Sequence, residues 1–157
     1  MEFSHGTGYA LHALTILAKA KKGENIGIRN LASSLGVSES YLSKIMTKFR
    51  KEGIVRSVTG VSGGYELARS ASEITFLDII EVTEGRNHLY ECVNFNESQH
   101  MLFQGYNSDQ TQSPWGNECL IQQILRGAEE RLNTWLSQHT IQSVLDESLL
   151  LANESES

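Results

Sequence analysis

The sequence predicts a mainly α-helical fold with one small β-hairpin, an α+β arrangement, on three observations. In "IGIRNLASSLGVSESYLSKIMTKFRKEG" apolar residues recur three and four apart on either side of a "GVS" break. From Ile54 the period switches to alternation, in "IVRSV" and "GYELA", around a glycine-bearing "TGVSGG". From Cys119 to Gln138, residues Ile121, Ile124, Leu125, Ala128, Leu132, Trp135 and Leu136 form an apolar stripe wider than one small domain needs for its own core. Two helices joined by a tight turn and followed by a hairpin describe a winged helix-turn-helix. The stripe describes a long helix suited to pairing with a second copy.

The elements follow in order. Leu11, Leu14, Leu17 and Ala18 recur at helical spacing behind the capping candidate Ser4, which predicts a first helix from about His5 to Lys21. A short second helix has Ile28, Leu31, Ala32 and Leu35 on its core face and Gly36 as its stop. Ser38 caps a third helix that points Tyr41, Leu42, Ile45, Met46 and Phe49 inward. The opposite face carries Ser40, Ser43, Lys44, Thr47, Lys48 and Lys51 in a single stripe. Lysines of such a stripe can neutralise phosphates, and Ser and Thr hydroxyls can reach base edges. Gly60, Gly63 and Gly64 shape the wing, with Thr59 and Arg56 beside them.

At 157 residues the chain is about one domain long. Its net charge of −6 is unevenly spread. Residues 1–70 hold ten Lys/Arg against five acids, a net of +5, and residues 71–157 hold three against fourteen, a net of −11. The basic half is the one with the helix-turn-helix, so a polyanion is the expected partner despite the acidic pI near 5.3. A basic stripe alone is often only a solvated face, and winged helices also serve as protein-interaction modules. Stripe, turn, hairpin and charge split agree here, which favours double-stranded DNA. No apolar run reaches the ~18 residues of a membrane span, and the N-terminus lacks the basic start of a secretion signal. A cytoplasmic protein with no membrane partner is expected. An enzyme is not: no Gly-rich phosphate loop precedes a helix, no zinc-type His/Glu spacing occurs, and neither cysteine sits in a CxxC.

"YALHALTILA", "LASSLGVSESYLSKIMTKFRKEGIVRSVTGVSGGYELAR" and "EITFLDIIEVTEG" resemble, in order and spacing, the Rrf2 family of bacterial winged-helix transcription regulators. The resemblance runs from about Ser4 to Gly85 and resumes from Cys119 to Asp146. Its members include an iron–sulfur cluster regulator, a nitric-oxide-sensing repressor and a cysteine-metabolism repressor. It implies a homodimer, most simply a repressor, whose recognition helices and wings address a pseudo-palindromic operator. Two positions depart from the pattern: Thr59 stands where an Arg often precedes the first wing glycine, and Gly8 where a basic residue often precedes Tyr9. Arg56 and Arg69 are the cations expected to substitute. The organisation expected is a winged helix-turn-helix over 1–85, a sensor loop over 86–118, a dimerisation helix and C-terminal helix over 119–150, and a disordered tail over 151–157.

Family members that hold a cluster place three cysteines in the sensor segment. Cys92 fits the first and Cys119 the third, the middle one is absent, and Gln122 stands where the cluster regulator has a His. Two thiols fall short of the four ligands a cluster usually takes. One reading completes the set from histidine, with His88 and His100 nearest in sequence and His5 and His12 on the first helix. A simpler one needs no cofactor. Cys119 starts a helix, whose dipole favours the thiolate, while Glu91 beside Cys92 does the opposite; a thiol switch would use Cys119 to attack and Cys92 to resolve. A third lets the 26-residue loop between them, with Phe95, Phe103, Tyr106 and Trp115, fold over a small molecule. Two ordinary packed cysteines are the plainest alternative.

Overall fold

The computed structural model describes residues 2–21, 23–91 and 120–155. Cys92, His100 and Cys119, and with them most of the expected sensor loop, lie outside the described residues. The chain divides into two compact units, Met1–Arg86 with Leu136–Ser157, and Asn87–Trp135.

In the first unit α1 (His5–Lys19) buries Ala10, Ala13, Leu14 and Leu17. It ends two residues before the expected Lys21. Ser4 occupies the N-cap position with an extended backbone, yet its side chain accepts nothing from the helix. Instead its backbone N–H and its hydroxyl both donate to Oε1 of Glu84, each at 2.8 Å. A carboxylate is the stronger acceptor and also carries the negative charge that a helix N-terminus attracts, so it displaces the local cap.

The next two helices follow local signals closely. Helix α2 (Ile28–Leu35) buries Leu31 and Ala32 and stops at Gly36. There φ is +67°, and the Gly36 N–H caps Ala32 and Ser33. Helix α3 (Glu39–Lys51) starts where the Ser38 hydroxyl accepts the Tyr41 N–H at 3.2 Å. Leu42, Ile45, Met46 and Phe49 are buried as expected. Tyr41 is not: it remains 40% exposed at the flank of the helix, its ring edge-on to Tyr9 with centroids 5.9 Å apart. A phenol keeps its hydroxyl wet when its ring can pack sideways, which is why the helical spacing misplaced it.

The hairpin of β1 (Val55–Val58) and β2 (Gly64–Leu67) is antiparallel, with Arg56 opposite Glu66 and Ser57 opposite Tyr65. It is tied to the chain before α2. Ile26 and Tyr65 exchange two backbone hydrogen bonds of 2.9 Å, so the wing gains a one-residue third strand. After a 3-10 turn over Ala71–Glu73, α4 (Phe76–Glu84) begins with a capping box, Thr75 and Asp78 satisfying each other's backbone N–H at 3.0 Å.

Most of α5 (Leu120–Gln138) lies in the second unit, which it shares with His88 and Leu89. Its Ile121, Ile124 and Leu125 are exposed. Helix α6 (Ile141–Ser155) returns to the first unit and packs on α1 and the 3-10 turn, with Ile141 fully buried. The tail 151–157, expected to be disordered, is therefore helical through Ser155. "SLLLANES" has no Gly or Pro and is rich in good helix formers, so nothing in it stops α6.

Candidate nucleic-acid interface

The face of α3 opposite its buried residues carries Ser40, Lys44, Lys48 and Lys51 exposed, with Ser43 and Thr47 half-buried. Ser38 and the turn at Gly36 aim this helix, while Phe49 and Met46 anchor it. Among the described residues, Lys44, Lys48 and Lys51 hold no carboxylate. Arg50, exposed on the same helix, holds none either, whereas the other four arginines of the unit behave differently. Arg29 pairs with Glu39 at 3.2 Å, Arg56 with Glu66 at 2.7 Å, Arg69 with Asp78 at 3.2 Å and Arg86 with Glu81 at 2.8 Å. Arg56 and Arg69, the cations expected to replace the missing wing and α1 charges, are thus already matched by acids. Thr47 is also more committed than its spacing implied. Its hydroxyl donates to the Ser43 carbonyl at 2.7 Å, which leaves its lone pairs and methyl group to face outward.

Three glycines set the wing's path for different reasons. Gly60 sits at φ +117°, outside the range of ordinary L-residues. A Cβ on Gly63 would lie 2.6 Å from the Val58 carbonyl oxygen, inside the turn. A Cβ on Gly64 would lie 2.5 Å from the Ile26 carbonyl carbon, where the wing is tied to the segment before α2. The tip between them presents Thr59, Gly60 and a fully exposed Val61, with no charge of its own.

A second cluster sits where α1 begins and α4 ends. Thr7 is buried, and its hydroxyl bonds the Glu84 carboxylate and lies 2.6 Å from the Thr83 hydroxyl. Hydrogen bonds from Thr7 and then Ser4 hold the Glu84 carboxyl below its ordinary range, against an opposing push from burial and with added help from the charge of Lys48. One lysine of the α3 stripe is therefore electrostatically linked to the end of α4. Glu84 has no sequence signal, because its partners are 80 and 77 residues away.

Of the sensor candidates His5 and His12, both on α1, lie among the described residues, and so does His88. Its Nδ1 is 3.3 Å from Glu129 on α5, so it has a carboxylate partner within its own unit. Among the described residues no three His, Cys, Asp or Glu side chains gather as a metal site would require.

The Rrf2 family model, described as an iron-dependent transcriptional regulator, matches residues 3–147. The chain belongs to the Rrf2 family. An HTH-type transcriptional regulator of Lactococcus lactis, YffB, is 31% identical over 148 residues, covering 94% of this chain and 89% of the relative. The HTH-type transcriptional regulator NsrR of Bacillus licheniformis is 28% identical, covering 92% of each. In fold the chain is similar to CymR, the global cysteine regulator of B. subtilis, with a TM-score of 0.65 at 24% identity over 94% of this chain and 98% of that one. Rrf2 membership makes this a DNA-binding transcription regulator with a winged-helix fold, not an enzyme. No helix among the described residues is long and apolar enough to cross a membrane.

Proposed function

We propose that this Rrf2 regulator is a homodimeric repressor of a pseudo-palindromic operator, released by oxidation of Cys92 and Cys119. Lys44, Lys48 and Lys51 hold backbone phosphates, Ser40 and Ser43 reach base edges, and Thr47 offers them an acceptor and a methyl group. What supports this assignment is the distribution of unmatched charge among the described residues: Arg29, Arg56, Arg69 and Arg86 each have an acid, while the α3 cations Lys44, Lys48, Arg50 and Lys51 have none. Lysines left unpaired on a helix whose other face is buried are free to release counterions from DNA. The exposed Ile121, Ile124 and Leu125 on α5 support the dimer, since such side chains in a row on one helix need a cover.

For the signal, the Cys119 thiolate attacks a peroxide, becomes a sulfenic acid and releases water or an alcohol. The Cys92 thiol then displaces a second water to close a disulfide, so two thiols give up two electrons in all. Gln122 cannot serve as the histidine ligand of a cluster, which leaves the cofactor-free switch with fewer requirements. The test is operator affinity before and after peroxide, in the native protein and in Cys119→Ser. The native protein is expected to lose affinity at least tenfold on oxidation and recover with a thiol reductant, and Cys119→Ser to be indifferent. A variant that still responds moves the sensor elsewhere. Sulfur-to-iron absorption bands in protein purified without oxygen would replace the switch with a cluster. A colourless, peroxide-insensitive protein would leave a small-molecule response through the segment between the cysteines.

A further inference from the structure

Beside the C-terminal half of α3, within the first unit, lies a cleft of about 320 Å³ lined by Lys48, Lys51, Glu52, Glu81, Val82 and Arg86. Three of these six carry positive charge. The two lysines hold no acid among the described residues. Arg86 is bound to Glu81 only through Nε, at 2.8 Å, and its side chain is 76% exposed. That bond orients the guanidinium and leaves both terminal amino groups without a partner among the described residues, an arrangement suited to two parallel bonds to one anion. Glu81 is thereby neutralised, Glu52 is the one lining acid with no cation among the described residues, and the six lining residues together carry a net charge of +1. Val82 supplies an apolar wall that lowers competition from water. A tetrahedral oxyanion, with more acceptor oxygens and more charge than a carboxylate, suits a cleft lined by three cations.

We propose that this cleft binds phosphate, and that Arg86 adds a DNA-backbone contact beyond the α3 stripe. The inference rests on the proposed placement of that stripe on DNA, because Lys48 and Lys51 belong to both. Its source of phosphate is the operator strand flanking the recognition helix, which reaches the cleft along the same face as Lys51. Arg86 is also the last residue before the segment Asn87–Trp135. One of the two covalent links between that segment and the first unit therefore runs through a residue that holds DNA, the other being Trp135–Leu136. Glu52 acts in the opposite sense, repelling the strand it faces.

Operator affinity measured from 50 to 200 mM salt tests this in the full-length protein. Each lost phosphate contact lowers the slope of log K against log salt by about 0.9, so one contact accounts for about a threefold change over that range. Arg86→Gln, which keeps a partner for Glu81, is expected to lower the slope by about that much per bound subunit. Glu52→Gln is expected to tighten binding by a few-fold. A slope unchanged in Arg86→Gln but lowered in Lys44→Ala overturns the cleft and leaves the α3 stripe standing. Slopes unchanged in both variants overturn the placement of the stripe itself. Inorganic phosphate titrated at constant ionic strength, without DNA, separates the two sources. Saturation at low millimolar phosphate that Arg86→Gln abolishes, with no change in salt slope, would make the cleft a site for free phosphate and overturn the DNA assignment.

Discussion

The recognition helix and the wing are adjacent in sequence and handle charge in opposite ways. On α3 three lysines stand without acids among the described residues, while on the hairpin Arg56 is held by Glu66 directly across the strands at 2.7 Å. The wing tip offers Thr59, Gly60 and Val61, none of them charged. The lesson is that the two halves of one DNA-binding unit need not work by the same physics. Electrostatics resides in the helix and is sensitive to salt. Shape resides in the wing, through backbone that only glycine can follow and through the tie between Ile26 and Tyr65.

The wing's path is most easily disrupted at Gly64. A methyl group there must push into the Ile26 carbonyl, 2.5 Å from its carbon, or force the wing away. Overpacking of this kind costs about 1–3 kcal/mol, and each kcal/mol lowers Tm by about 2–4 °C in a chain of this size. Gly64→Ala is expected to lower both Tm and operator affinity. An unchanged melting curve would show that the tie to Ile26 does not hold the wing, and the shape argument would fail with it.

The next effect is smaller and confined to binding. Lys44→Ala with Lys48→Ala should leave Tm nearly unchanged, because both side chains are exposed. Two lost phosphate contacts per subunit should remove about 1.8 from the salt slope for each bound subunit, which is about tenfold per subunit in affinity between 50 and 200 mM. Arg56→Ala serves as the contrasting variant. Its charge is already matched by Glu66, and an exposed pair of this kind contributes about 0–1 kcal/mol. Titrations across salt should leave its slope where the native protein has it. If Arg56→Ala flattens the slope as much as a single lysine variant, Glu66 does not keep that guanidinium from the DNA, and the division between helix and wing disappears.

These expectations show which parts of the molecule could be read from the chain and why. The caps at Gly36 and Ser38, the buried face of α3 and the period change at Ile54 are local, set by residues within four positions of each other. Sequence reading placed them well. It failed where the deciding contact is distant. Ser4 looked like a cap and became a donor to Glu84, and Tyr41 looked like core and became an edge partner of Tyr9. Arg56 and Arg69 looked like spare cations because cross-strand register and the start of α4 decide their partners, and neither is visible as spacing along the chain. Arg86 went unremarked for the same reason: a single Arg after "TEG" acquires meaning only once α4 sets it beside Lys48 and Lys51.

The finest test concerns Glu84, whose charge reaches into the lysine stripe. Thr7 and Ser4 hold its carboxyl below the ordinary value of 4.5, with Lys48 contributing. A carboxyl depressed by folding stabilises the folded state fully above its unfolded value and loses that contribution as pH falls through the folded one. The native protein should therefore be more stable than Glu84→Gln at neutral pH, and the difference should shrink as pH drops below about 4.5. Glu84 is largely exposed, so solvent screening keeps the effect small. The same substitution frees Lys48 from a nearby negative charge. Operator affinity at neutral pH should then rise slightly in Glu84→Gln while stability falls. Parallel loss of both would mean that Glu84 acts on DNA binding only by seating α1, and that Lys48 belongs wholly to the phosphate face of α3.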